Sequence, residues 1–260
     1  MSDFLESMAE SSRARAAAAR PPASGSGRRP ALVTEAFGVI AEIKNRSPAE
    51  GALAAEDADR AARARCYADA GAVAISVLTE PERFDGHLDH LAEVVDAVPD
   101  TPVMRKDFLV DPVQVREADA VGASGVLLIT AMLDDRALAR MLDTAWQHDL
   151  FVLLEAFSET DIERATRLLD EAVHRAKAEH GELLFGVNSR NLRTLEVDAT
   201  RLERYARLLP EGIRVAESGL ESAADARRVA AAGYRLALVG TALMRSPDPG
   251  ALIREMAAAA

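Results

Sequence analysis

Six side chains able to donate, accept or steady a proton stand at or near the ends of short apolar runs: Glu42 and Lys44, Lys106, Glu155, Asn188 and Glu217. Such groups are costly beside buried apolar chain, so their recurrence there points to chemistry. Residues two apart on a strand share a face, and Glu42 and Lys44 are therefore expected to point inward together as a charge pair. Lysine usage sharpens the reading. Of 31 basic residues only Lys44, Lys106 and Lys177 are lysines, and the first two stand at strand ends. Arginine cannot release a proton near neutral pH, whereas burial and neighbours can tune lysine to do so. Lysine at these two positions points to proton transfer; the plainer alternative is a pair of buried structural ion pairs. Lys177, on a charged helical stretch, carries only the plainer reading.

A second signal lies further along. Ser218-Gly219 follows the seventh apolar run and Gly240-Thr241 the eighth, each leading towards a helix. Backbone N–H groups at such turns form phosphate pockets, although either glycine alone would be an ordinary turn residue. Other chemistries lack their residues. His87, His90, His148, His174 and His180 show no zinc spacing, and no metal site is expected. Neither a Gly-x-Ser-x-Gly elbow nor a P-loop is present, and no Gly-x-Gly-x-x-Gly follows the first strand. His87 and His90 read as solvated, Trp146 as packing, and the acidic runs Glu56–Asp59 and Asp161–Glu163 as exposed helix faces. Cys66, in a helical pattern before Tyr67, reads as a buried or half-buried structural thiol.

The elements that must position these groups repeat regularly. Apolar runs at Val39–Lys44, Val73–Leu78, Val103–Lys106, Gly125–Ile129, Phe151–Glu155, Leu183–Asn188, Arg214–Glu217 and Leu236–Gly240 alternate with amphipathic stretches. The stretches include Ala54–Ala70, Pro112–Val121, Arg136–His148, Glu159–Lys177 and Ser222–Ala232. Gly71, Gly122 and Gly233 precede strands, where a helix end favours a left-handed residue. Strand–helix alternation implies parallel βαβ units, and eight units fit a closed (β/α)₈ TIM barrel, with an open doubly wound sheet as the alternative. Residues 3–20 read as an additional N-terminal helix with Asp3 and Glu6 spaced as a capping box. The Pro21–Gly27 stretch reads as a mobile linker. The expected organisation is residues 1–30 as N-terminal helix and linker and residues 31–260 as the barrel, with the extra helix packed over the barrel.

Composition sets the outer limits. A chain of 260 residues fits one α/β barrel, and 49% hydrophobic residues can fill its core. A net charge of −11 argues against nucleic acid as partner while leaving room for a small anion in a locally cationic cleft. One cysteine fits a reducing compartment. No apolar run has membrane-spanning length, and the N-terminus lacks the features of a secretory or mitochondrial leader. The expectation is a cytoplasmic protein with no membrane partner.

Together these motifs resemble the indole-3-glycerol phosphate synthase family. Ile40-Ala41-Glu42-Ile43-Lys44-Asn45-Arg46-Ser47-Pro48 is similar to its first strand and loop, and Ser76-Val77-Leu78-Thr79-Glu80 with Phe84 and Gly86 to its second. Arg105-Lys106-Asp107-Phe108, Leu127-Leu128-Ile129 and Leu154-Glu155 follow in order. Gly186-Val187-Asn188 with Arg190-Asn191-Leu192, then Glu217-Ser218-Gly219, and finally Val239-Gly240 with Leu243-Met244, complete the round. The resemblance spans residues 38–246. It implies conversion of 1-(2-carboxyphenylamino)-1-deoxyribulose 5-phosphate to indole-3-glycerol phosphate, carbon dioxide and water, by a monomer without cofactor. It also implies Lys106 as general acid, Glu155 as base, Lys44 as second acid with Glu42 as its partner, and Asn188 and Glu217 orienting the substrate. Ser47 and Arg190 would hold its anionic ends. Leu78, Phe108 and Leu128 would form a slot for the aromatic ring, and Ser218, Gly219, Gly240 and Thr241 would hold phosphate.

Some positions depart from the family pattern: Ala49 where Ser or Thr is usual, Ser189 where a second Asn is usual, and Ala156-Phe157 in place of Val-His. Two alternatives stay open at this stage. One is a related phosphate-binding barrel isomerase, which needs a Cys–Asp pair that Cys66 is badly placed to provide. The other is a catalytically silent relative that binds a phosphorylated ligand or a protein.

Overall fold

The computed structural model describes residues 4–20, 29–48, 51–53, 59–191, 196–198 and 200–259. Eight parallel strands close into a barrel: β1 (Gly38–Ile43), β2 (Ala74–Leu78), β3 (Val103–Lys106), β4 (Gly125–Ile129), β5 (Phe151–Ala156), β6 (Leu183–Asn188), β7 (Ile213–Glu217) and β8 (Leu236–Val239). Each pairs with its sequence neighbours, and β8 returns to β1 with Ala41 opposite Val239. The closed TIM barrel is the expected architecture, and the open sheet is excluded. The strands lie within a residue or so of their expected bounds, because most are apolar runs buried on both faces.

Helices pack outside the strands: α2 (Arg60–Asp69), α3 (Pro81–Phe84), α4 (Leu88–Ala97), α5 (Pro112–Ala120), α6 (Asp135–Gln147), α7 (Glu159–Leu168), α8 (Ala172–Glu179), α9 (Arg201–Ala206), α10 (Ala223–Ala231), α11 (Thr241–Arg245) and α12 (Pro249–Ala258), after an N-terminal α1 (Phe4–Ala18). Their ends follow local chemistry. Asp111, Ser158 and Ser222 open α5, α7 and α10 with capping boxes. Gly71, Gly122 and Gly233 have φ of 86°, 86° and 98°, the expected left-handed residues between helix and strand.

Three expectations need correction. The stretch Glu159–Lys177 is two helices. Ile162 and Ala165 face inward on α7, while His174 and Ala178 do so on α8, a change of phase that one straight helix cannot make. Arg175 covers the break by donating to the carbonyl of Leu169 from Nε and Nη2 at 3.0 and 2.8 Å. Cys66 is exposed, since the inward face of α2 is set by Ala64 and Tyr67. Asp161 is buried, because its carboxylate caps α7 by accepting from the Ser158 backbone N–H at 3.1 Å and hydroxyl at 2.7 Å. Asp3, Pro21–Gly27, Ala49 and Glu56–Ala58 lie outside the described residues, and with them the first capping box, the linker and part of the Ala54–Ala70 stretch.

Strand alternation sorts the core into two layers. Ile40, Met104, Leu127, Leu153, Leu184 and Val215 fill the barrel, whereas Val39, Ile75, Leu128, Val152 and Val187 lie between sheet and helices. The N-terminal helix joins the inner group. Leu5 and Met8 of α1 pack with Phe108 and Phe157, so α1 lies across one end of the barrel as expected.

A charge cluster fastens that helix. Arg15 donates from both Nη atoms to Asp107, each at 2.8 Å, while Arg105 at 3.1 Å and the Thr79 hydroxyl at 2.8 Å donate to the same buried carboxylate. Burial opposes ionisation, but Arg15, Arg105 and Thr79 outweigh it and hold the Asp107 carboxyl down to about 2. Such a group stabilises the fold above its unfolded pKa of ~3.9 and loses that contribution, ~2 kcal/mol, as pH falls through the folded value. Urea unfolding from about pH 5 to about pH 2.5 should show the loss, and Arg15→Gln should show a smaller one. Equal losses in the two proteins would place the acid sensitivity elsewhere.

Candidate active site

The C-terminal ends of the strands, beneath α1, form a cleft lined by Glu42, Lys44, Ser47, Leu78, Lys106, Phe108, Glu155, Asn188, Arg190, Glu217 and Ser218. Barrel register brings them together. Leu78 stands opposite Lys106, Ile129 opposite Glu155, and Asn188 opposite Glu217, each pair on adjoining strands. Lys44 and Lys106 thus open into one cleft, as the sequence reading requires.

Electrostatics divides the charged groups into two sets. Glu42 and Lys44 form an ion pair at 3.2 Å. Burial of the Glu42 carboxyl disfavours its charge, but Lys44, Lys106 and Arg190 reverse the balance and lower its pKa. Burial likewise works against the Lys106 ammonium, yet Glu42, Glu155, Glu217 and Asp107 together raise its pKa and keep it charged. Glu217 behaves oppositely. Burial, and then the neighbouring Glu155 carboxylate, push its pKa well above the usual range, with Lys106 only partly offsetting them. Among the described residues none hydrogen-bonds the buried carboxyl oxygens of Glu155 or Glu217. The raised pKa of Glu217 lets its carboxyl hold a proton beside the Glu155 side chain, a candidate acid next to a candidate base.

Local bonds set the remaining polar groups. The Arg190 backbone N–H donates to Asn188 Oδ1 at 2.9 Å, and Arg201 Nη1 donates to the Asn188 carbonyl at 3.2 Å. Ser47 is buried in a two-residue hairpin strand opposite Gly51. Apolar side chains line the β2–β4 side of the cleft: Leu78, Phe84, Phe108, Leu127 and Ile129, with Phe4 from α1. The rings of Phe4 and Phe84 each lie 6.0 Å from that of Phe108. Leu128 is not in this slot. It faces the helices, because alternation along β4 turns its neighbours Leu127 and Ile129 inward.

A second pocket adjoins the cleft, sharing Glu42, Lys44, Arg190 and Ser218 and continuing over Gly219, Leu220, Gly240 and Thr241. Ser218 and Gly219 are both left-handed, with φ of 66° and 68°. A Ser there is strained, and the Ser189 hydroxyl helps hold it by donating to the Ser218 carbonyl at 2.9 Å. Gly240 has a use beyond backbone approach. A Cβ there would fall 2.8 Å from Glu42 Oε1 and 2.9 Å from Lys44 Nζ, so the missing side chain makes room for the ion pair.

Sequence reasoning missed several lining residues. Leu127 and Ile129 could have been found from strand parity, given that Ile129 pairs with Glu155. Phe84 was visible in the second loop motif, though no role was attached to it. Phe4 carries no local signal, since its place depends on how α1 docks.

Comparison with known proteins adds an independent line. The family model for indole-3-glycerol phosphate synthase matches residues 29–256. A Nocardioides protein named indole-3-glycerol phosphate synthase is 46% identical over 219 residues, covering 84% of this chain and 79% of its own length. A Mycobacterium avium protein of the same name is 43% identical over 248 residues, covering 95% and 85%. Among solved structures, 3-hexulose-6-phosphate synthase from Salmonella typhimurium aligns with a TM-score of 0.63 over 86% of this chain and 98% of its own. At 13% identity, that likeness bears on the fold alone.

Proposed function

Because this chain belongs to the indole-3-glycerol phosphate synthase family, we propose that it closes the indole ring of 1-(2-carboxyphenylamino)-1-deoxyribulose 5-phosphate and releases carbon dioxide and water. The observation that carries this reading is the cleft itself: a charged lysine and a carboxyl pair between an apolar slot and a glycine-lined pocket.

The aromatic ring lies in the slot of Leu78, Phe108, Leu127 and Ile129. The phosphate lies over Ser218, Gly219, Gly240 and Thr241, with Ser47 and Arg190 near the anionic ends. The ring carbon bearing the carboxylate then attacks the ketone carbon, and the electron pair moves to the ketone oxygen. Lys106 supplies the proton that quenches it, which its neighbouring carboxylates favour by keeping it an ammonium. Loss of carbon dioxide returns electrons to the ring. Elimination of the new hydroxyl as water needs an acid for the oxygen and a base for the proton the ring gives up. Glu155 is the base; Lys44, held by Glu42, is the acid on the opposite side. Asn188 orients the sugar hydroxyls, and Glu217 keeps a proton beside Glu155. No cofactor takes part in these steps.

The enzyme acts in the cytoplasm as a monomer, with α1 of an N-terminal unit of residues 1–30 lying over a catalytic barrel of residues 31–260. No helix among the described residues is long and apolar enough to cross a membrane. Incubation of the purified protein with the carboxyphenylamino ribulose phosphate should produce indole fluorescence; no signal at millimolar substrate would reject the assignment.

Gly240 supplies a narrower test. Gly240→Val should lower turnover by up to about a hundredfold besides raising KM, because it displaces the Glu42–Lys44 pair as well as crowding the phosphate. A rise in KM with turnover intact would confine Gly240 to phosphate binding.

A further inference from the structure

We propose that Gly186 is a positioning residue for the reaction: the side chain absent from the middle of β6 leaves the space in which Glu217 lies against Glu155. This rests on the acid–base reading of the cleft given above.

The geometry is specific. Strand β6 runs between β5, which carries Glu155, and β7, which carries Glu217, and Gly186 stands in register with Glu155. Leu184, Gly186 and Asn188 share the inward face by alternation. A Cβ on Gly186 would fall 2.2 Å from Glu217 Oε1, 3.3 Å from Glu217 Cδ and 3.0 Å from Leu153 Cδ1. The Glu217 carboxyl therefore occupies the volume a side chain would fill. Backbone conformation does not explain the glycine, since Gly186 is not among the residues with positive φ and lies in a regular strand. Glycine weakens a strand interior, so its presence needs another cause, and the carboxyl lying over it is one.

The consequence is chemical. Any side chain at position 186 drives the Glu217 carboxyl off the seat it takes beside Glu155. The other charged groups acting on Glu217 are Lys106 from β3 and Glu42 from β1, while Lys44, Asp107 and Arg190 line the same cleft. They would remain in place.

The test is Gly186→Ala, whose extended backbone suits alanine and whose obstruction is the end of a flexible side chain. Turnover should fall at least about tenfold with KM little changed. Glu217 owes its raised pKa to burial and to Glu155. Moved away, it should ionise at lower pH, and the alkaline limb of the turnover profile should move the same way. The shorter acid in Gly186→Ala/Glu217→Asp clears the new Cβ, so the double variant should lose less than the product of the two single losses. Wild-type turnover and profile in Gly186→Ala, or independent losses in the double variant, would overturn the proposal. A Gly186→Ala protein that fails to fold and is not restored by Glu217→Asp would overturn it too, since Leu153 or the backbone would then be what the glycine accommodates. Infrared titration of the carboxyl groups separates this from the functional reading. A buried carboxyl that titrates above the usual carboxylate range should be present in the wild-type protein and should titrate lower in Gly186→Ala, whether or not indole is formed.

Discussion

Lys106→Arg is expected to lower turnover by about a hundredfold or more, the usual scale for loss of a general acid. The substitution keeps a positive charge among Glu42, Glu155, Glu217 and Asp107, which now surround Lys106, but withholds the proton. It therefore separates two roles that alanine would remove together. If Lys106 only neutralised the developing alkoxide, arginine would keep much of the activity. Lys177→Arg is the control. Lys177 pairs with Glu182 and lies 5.3 Å from the centre of the Trp146 ring, contacts that arginine can also make, and it is remote from the cleft. Near-normal turnover in Lys106→Arg would move the acid role to Lys44.

Glu155→Gln should be nearly as damaging, again about a hundredfold or more, and the loss should fall on a different step. Ring closure and decarboxylation need an acid at the ketone oxygen, which Lys106 still provides. The final dehydration needs a base, which glutamine cannot supply. In a single turnover, carbon dioxide should therefore appear ahead of indole fluorescence, whereas the wild-type protein should release the two together. The alkaline limb should also move to lower pH, because Glu217 loses the neighbouring carboxylate that helps raise its pKa. Carbon dioxide and indole falling in step would place Glu155 before decarboxylation and contradict its role as the dehydration base.

How much of this was legible in the chain depended on the range of the physics involved. A strand buried on both faces announces itself as an apolar run, so β3, β4 and β6 lie where the runs lie. A charged residue at the end of such a run is anomalous in any context, which made Lys106, Glu155 and Glu217 visible as candidates before they were seen to converge. Leu128 was misplaced although the information was present, because parity along β4 decides which residue faces the cleft and the motif alone does not. The break after α7 follows from a shift of inward phase between Ile162 and His174, which appears only once the barrel sets the inward direction.

Other features lie beyond local sequence. Phe4 and Arg15 matter because α1 docks on Phe108 and Asp107, far along the chain. Gly186 and Gly240 matter for what their neighbours place in the empty volume, and a glycine in a sequence reads first as a turn. Glu217 was expected to orient substrate; its pairing with Glu155 depends on β6 offering no side chain between them.

The most direct measurement of the central claim is a structure of the protein with the unreactive substrate analogue in which the ketone is reduced to an alcohol. The account predicts the aromatic ring against Leu78, Phe108 and Ile129, the phosphate over Gly219 and Gly240, and the alcohol oxygen within about 3 Å of Lys106 Nζ. An analogue bound in the reverse sense, or with that oxygen out of reach of Lys106 and beside Lys44, would contradict it.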